Sequence, residues 1–511
     1  MGKLRSREGC LTCRSRRVKC DEKRPICGNC RKSNRDCRHE ERREAQIRFH
    51  RTRDAPRPNA IGGTPAASSS SPPISADHRS VHSERSDHVV GASPPLTGAP
   101  ISIAQLLQPG SASPVFQVPS PWSPGSGTPD NLISKPMTRH EASLVHHYAT
   151  HLGRWLDCTD ASRQFTLKIP ALATTSPVLL EAIMSFAARH RGDAEAANLA
   201  HERCIAKLIV LLGSSERVAA DDMLLCAIVI LRVFEQLTAL GNGSDQERHL
   251  AGCSALLRAC QGPCADPSAP GLRDAAFWVY MRQCLYNACI NQQAPNVDFS
   301  LTLLPIPCWP AGGVDALRSE TAWANTMTWI CATVVQFCFG SHAQEPSNRM
   351  EKWRELSRTL EDWATNRPPS FDPIWQSGGG SCEEDSPFPE YYFAADWHVV
   401  AFGFYQLASM LLIIYKPNPR FAIRSAQAGG LRREDAQILE HARALCGSCR
   451  SEPGNVPARI TLCHSVFLWG GLLYDPCERR CLVQLLQELE DNHAWPTAWI
   501  INLLKEEWSI L

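Results

Sequence analysis

Beyond residue 137 the apolar side chains recur every third or fourth position along the chain. Leu144, Tyr148, Leu152 and Trp155 space out as one face of a helix over 139–156. Ser176 followed by Pro177 supplies an N-cap and a first-turn proline ahead of LLEAIMSFAARH. The same periodicity predicts helices over 193–212, 221–238, 247–260, 273–290 and 320–339. Further helices are expected over 395–415, 433–447, 458–472, 478–490 and 496–509. Between the two groups, RPPSFDPIWQSGGGSCEEDSPFPE at 366–390 reads as a long internal loop. With no strand signal and no self-similar period, 137–511 is expected to be one large all-α domain.

Val399–Tyr415 runs 17 residues without a charge, at the short limit for spanning a bilayer. It carries Gln406 and Ser409 and is flanked by amphipathic helices, so a buried core helix is expected and no membrane partner. Met223–Leu231 is shorter still and reads as core. The first ten residues, MGKLRSREGC, contain no apolar stretch of the kind that directs secretion, which favours a reducing, intracellular setting. Residues 54–136 hold 15 of the 37 prolines and 16 serines, a composition expected of a disordered linker.

The net charge of +1 is a cancellation. Residues 1–53 hold 18 Lys/Arg against 7 Asp/Glu, a formal +11, while the remaining 458 carry a formal −10. A basic head on an acidic body points to a polyanion as the partner of the head.

The head also holds six of the 23 cysteines, in CLTCRSRRVKCDEKRPICGNCRKSNRDC. Cys10, Cys13, Cys20, Cys27, Cys30 and Cys37 form two C-x2-C-x6-C halves that repeat after 17 residues. A structural Zn²⁺ takes four tetrahedral thiolates, so six thiolates close two sites only if two are shared. The segment has too few apolar residues for a core, so bound metal must supply its folding energy. This spacing, the CRSRRVKCD run and Pro25 resemble the zinc binuclear cluster (Zn2Cys6) family of fungal transcription factors over about residues 8–40. The resemblance implies two Zn²⁺ per chain, bridged by Cys10 and Cys27. Cys13 and Cys20 would complete one site, and Cys30 and Cys37 the other. With both ions bound, the head would still carry about +9.

Arg14 and Arg17 share one helix face by their spacing, and Arg16 and Lys19 another. One face can neutralise phosphates while the other reaches base edges. The spacing alone does not say which. The resemblance places Arg16 and Arg17 on the bases and implies recognition of CGG-type triplets in the major groove of double-stranded DNA. Arg31, Lys32 and Arg35 are expected to contact phosphates. Residues 38–53 extend the basic region and contain Ile47 and Phe49, but no sustained heptads. A homodimer is therefore not expected to form through a coiled coil there.

The body resembles the helical regulatory domain of the same regulators, on RHLAGCSALL at 248–257, FWVYMRQCLYNA at 277–288 and WPTAWIINLLKEEW at 495–508. Cys284 stands where that family has an acid after Arg-Gln, so a buried Arg–Asp pair is not assured. The resemblance implies a nuclear regulator of RNA polymerase II transcription whose body meets co-regulators, the transcription machinery or a small-molecule inducer. No phosphate-binding glycine loop, G-x-S-x-G elbow or H-E-x-x-H occurs, so no enzyme is expected. A second reading is a metal, redox or small-molecule sensor whose N-terminal cluster serves metal buffering or protein contact instead of DNA. Separately, Cys446, Cys449 and Cys463 could be sensor thiols, although structural chance near a helix end is the preferred reading of the C-x2-C at Cys446 and Cys449. His146, His147 and His464 have no partners at ligand spacing, and the acidic-aromatic run 382–396 is compatible with an activation segment or a solvated loop.

Overall fold

The computed structural model describes residues 12–13, 27–33, 37, 136–214, 221–238, 264–307, 314–340, 346–377, 387–417 and 433–510. The linker expected over 54–136, apart from Pro136, and the helix expected over 247–260 lie outside them. Among the described residues of the N-terminal head, Thr12 and Cys13 are helical, and α1 spans Gly28–Lys32.

The body opens with α2 (Arg139–His147), whose Thr138 and Glu141 form a reciprocal capping box. A π-helical turn (Tyr148–Leu152) carries it into α3 (Gly153–Leu156). A second π-turn (Gln164–Lys168) then leads into α4 (Ile169–Leu172). Buried Asp157 ties the two turns together by accepting the N–H groups of Phe165 at 2.8 Å and Thr166 at 2.6 Å. Ser176 caps α5 (Pro177–His190) as the sequence predicts, accepting from the Leu179 N–H. Next come α6 (Ala194–Ser214) and α7 (Asp222–Thr238), both packed on α5. Then α8 (Leu272–Asn291) joins α7 to α9 (Val314–Phe339).

A helix absent from the expected set, α10 (Pro346–Asn366), follows. It docks through its tryptophans: Trp353 Nε1 donates to the Leu412 carbonyl at 2.8 Å and Trp363 Nε1 to that of Trp323 at 3.0 Å. The uncharged segment forms α11 (Asp396–Ile414), and 78% of its most apolar stretch is buried inside the body. It is a core helix, as expected. The body ends with α12 (Arg433–Ser451), α13 (Val456–Trp469), α14 (Pro476–His493) and α15 (Ala498–Ile510).

Two features depart from the sequence reading. Two-residue strands pair in parallel, β1 (Cys264–Ala265) with β2 (Thr302–Leu303), and antiparallel, β3 (Trp375–Gln376) with β4 (Tyr391–Tyr392). The loop expected over 366–390 is folded where it is described. Phe371 and Phe388 are buried, and Ser370, Trp397 and His398 all hydrogen-bond Glu320 of α9. Pro389 lies directly on α12 at Gly447, where a methyl group would overlap its carbonyl oxygen. Gly447→Ala should therefore cost about 1–3 kcal/mol by overpacking. Denaturant unfolding of the full chain measures this, and an unchanged midpoint would contradict the packing.

His464 of α13 is 2% exposed, no protein group bonds either ring nitrogen, and burial lowers its pKa to about 3. Unfolded, the same ring titrates near about 6.5. As pH falls below that value the unfolded chain takes up a proton that the native chain refuses, so stability is lost. His464→Leu should remove about 2 kcal/mol of the stability loss between roughly pH 7 and pH 5. Parallel urea titrations of both chains at the two pH values read the difference directly.

Candidate metal centre and nucleic-acid interface

Cys27 organises the described part of the head. It is the N-cap of α1, with its Sγ accepting the Cys30 N–H at 3.3 Å, while its own N–H donates to Cys37 Sγ at 3.3 Å. Cys13 closes the group from the preceding half. Its Sγ lies 3.6 Å from that of Cys27 and 4.0 Å from that of Cys30. These separations are far beyond a disulfide bond of about 2.05 Å. They bracket the edge of about 3.8 Å expected for thiolates on a tetrahedral Zn²⁺ with Zn–S near about 2.3 Å.

Cys13, Cys27 and Cys30 are buried and Cys37 is half-buried against them, forming a small cluster made only of cysteines. Among the described residues they are also the one set of three potential metal donors within 4.8 Å of one another. The donor set therefore fits zinc. N–H groups aimed at sulfur and a helix N-terminus at Cys27 both favour the thiolate form.

Arg31 and Lys32 occupy the exposed last turn of α1, where their charges face solvent and the helix C-terminus. Cys10, Cys20, Arg14, Arg16, Arg17, Lys19 and Arg35 lie outside the described residues.

The body handles its thiols differently. Cys446, Cys449 and Cys463 are fully buried. Burial raises all three pKa values, that of Cys449 to about 12, and Cys449 Sγ donates to the Ala458 carbonyl. They are protonated core side chains, and the Gly447 between them serves the close approach of Pro389. His147, read from the sequence as an ordinary surface or core histidine, hydrogen-bonds His190 at 3.1 Å and stacks on His151. Arg282 makes no Arg–Asp pair with its own helix. Its guanidinium donates to Thr159 Oγ1 at 2.7 Å and to the Leu156 carbonyl at 2.6 Å, clamping α8 to the turn after α3. The described end of the acidic-aromatic run is part of the core, with Phe388 and Phe393 both buried.

Comparison with known proteins agrees with this division. Residues 8–46 match the fungal Zn(2)-Cys(6) binuclear cluster domain, and residues 143–288 match the fungal specific transcription factor domain. Over 353 residues the chain is 22% identical to a transcription activator, AMTR1, of Alternaria alternata, covering 57% of this chain and 44% of that protein. Over 35 residues it is 63% identical to the transcriptional regulatory protein moc3 of Schizosaccharomyces pombe, 7% of each chain. Over 33 residues it is 67% identical to the sterol uptake control protein 2 of Candida albicans, covering 6% of this chain and 5% of that protein. The chain thus spans less than half the length of these curated relatives, and no solved structure matches it. Both matched domains define transcription factors and not enzymes, and the thiol cluster falls inside the first. The chain thus carries a match to the Zn(2)-Cys(6) binuclear cluster domain ahead of a match to the fungal specific transcription factor domain.

Proposed function

We propose that the protein is a nuclear, sequence-specific regulator of RNA polymerase II transcription that reads CGG-type sites through a two-zinc cluster. The observation that carries this reading is the convergence of the Cys13 thiol on those of Cys27 and Cys30, which cap and belong to a helix that ends in Arg31 and Lys32. Residues 1–53 would form the DNA-binding unit, 54–136 the linker and 137–511 the regulatory body. Cys10 and Cys27 would bridge the ions, with Cys13 and Cys20 on one and Cys30 and Cys37 on the other. The central position of Cys27, close to Cys13 and bonded by the N–H of Cys30, supports its bridging role. Bound zinc supplies the folding energy that so small an apolar core cannot.

With the cluster folded, Arg16 and Arg17 would meet guanine O6 and N7 in the major groove, where a guanidinium can donate twice. Arg14, Lys19, Arg31, Lys32 and Arg35 would neutralise phosphates and set the register. The acidic body gains nothing from DNA and is free to meet co-regulators, a second copy or a small molecule. A sensor built on Cys446, Cys449 and Cys463 is disfavoured by their burial, while one built on the N-terminal cluster would bind all DNA sequences equally.

Arg17→Ala in the full chain should weaken binding to a CGG-containing duplex by about 1–3 kcal/mol while leaving scrambled DNA nearly unaffected. Fluorescence anisotropy on both duplexes measures this, and equal loss on the two would reassign Arg17 to phosphate. Elemental analysis tests the cluster: the wild-type chain should hold two zincs and Cys27→Ala neither. Retention of both by that variant would remove Cys27 from the bridge.

A further inference from the structure

The matched domain ends inside α8, and the helices beyond it do not close tightly on it. Between α7, α8 and α13 lies a cleft with about 60 Å³ of free interior. Its walls are mostly apolar and aromatic. Tyr286 packs edge-on against both Trp495, at 5.4 Å, and His464, at 5.7 Å, while Trp155 contributes from α3. Besides the Trp495 indole N–H, two polar groups set into these walls have buried atoms with no protein partner. His464 offers an imidazole with one N–H and one bare nitrogen, and neither atom is bonded within the protein. Gln283, 5% exposed, donates its Nε2 to the Val229 carbonyl at 2.9 Å, which fixes the amide and leaves Oε1 as an unbonded acceptor.

Charge narrows what can enter. His464 stays neutral because burial lowers its pKa to about 3. Arg282 is the one charged residue lining the cleft, and its guanidinium is already committed to Thr159 and Leu156. A charged ligand would be desolvated there without a matched counter-ion. A purely apolar one would leave Gln283 Oε1, both His464 ring nitrogens and the Trp495 indole N–H unpaired. The free interior takes about one amide group, and the cleft is about half open, so the rest of a ligand would lie in its mouth against the aromatic walls.

We propose that this cleft binds a small neutral molecule that buries an amide or equivalent paired donor and acceptor against Gln283 and His464, with its apolar body among Tyr286, Trp495 and Trp155. The binding site stands independently of the regulatory reading of the body. Only its consequence for DNA binding rests on that reading.

Benzamide, benzoate and toluene have similar shapes and differ in the relevant chemistry, so they serve as probes. Calorimetric titration of the full chain should show saturable benzamide binding, with benzoate and toluene at least tenfold weaker. His464→Leu and Gln283→Met should each weaken benzamide at least tenfold without loosening the discrimination against benzoate, and circular dichroism melts confirm that both variants fold. Absence of saturable benzamide binding would mean that the cleft holds only water. Equal binding by wild type and both variants would place the ligand elsewhere, and either result overturns the proposal. A final arm repeats the CGG-duplex titration with saturating benzamide. Unchanged DNA affinity alongside benzamide binding would preserve the site and remove its regulatory role.

Discussion

A helix with no polar face cannot lie at a surface, and α11 is such a helix. From Trp397 to Leu412 nearly every side chain is buried, so neighbours must cover it on all sides. It is covered by α9, α10, α12 and α13. Each fully buried large apolar side chain contributes about 1.5–3 kcal/mol, which makes this contact the largest single organising influence on the C-terminal half. Most polar groups carried inside are matched, the exception being the second ring nitrogen of His398. Ser409 Oγ donates to the Tyr405 carbonyl at 2.8 Å, His441 meets Gln406 at 2.6 Å, and His398 is bonded to Glu320 at 2.6 Å. The Glu320 bond also explains why the described part of the connection before α11 is folded. It gathers Ser370 and Trp397 as well, pulling the segment before α11 down onto α9.

These contacts mark where sequence patterning stops being informative. The helices with a broad apolar face, such as α5 and α11, are legible from periodicity, and the Ser176–Pro177 start of α5 is legible from capping chemistry. In α10 the stripe is narrow: Trp353, Leu356, Leu360 and Trp363 are embedded among charged residues, and the segment's overall polarity masks it. The π-turns at Tyr148–Leu152 and Gln164–Lys168 have no local signature. They are held by Asp157 and by the close approach of Gly153 to Thr166, where a methyl group would sit 2.8 Å from the Thr166 Cα. Both are tertiary facts. So is the cleft, whose Gln283 and His464 come from helices far apart in sequence. The metal centre is the opposite case, since its ligands are local and zinc dictates their spacing.

The same residue type therefore does two jobs in one chain, and the environment decides which. A cysteine buried alone among apolar side chains keeps its proton, because a thiolate there would lack solvation. Burial accordingly pushes Cys158 to about 11 and Cys284, Cys289 and Cys449 to about 12, and these thiols serve as small apolar fillers. In the head, thiols from both repeat halves converge to within 3.6–4.0 Å, with backbone N–H groups pointing at sulfur. Deprotonation there is compensated by one ion serving several sulfurs at once. Among the described residues the head suits zinc better than the body's thiols do, because only convergence lets a metal displace several protons together. A single loss at Cys27 removes the N-cap of α1 and the centre of the thiol group together. It would therefore release the metal and the basic turn that presents Arg31 and Lys32 in one step.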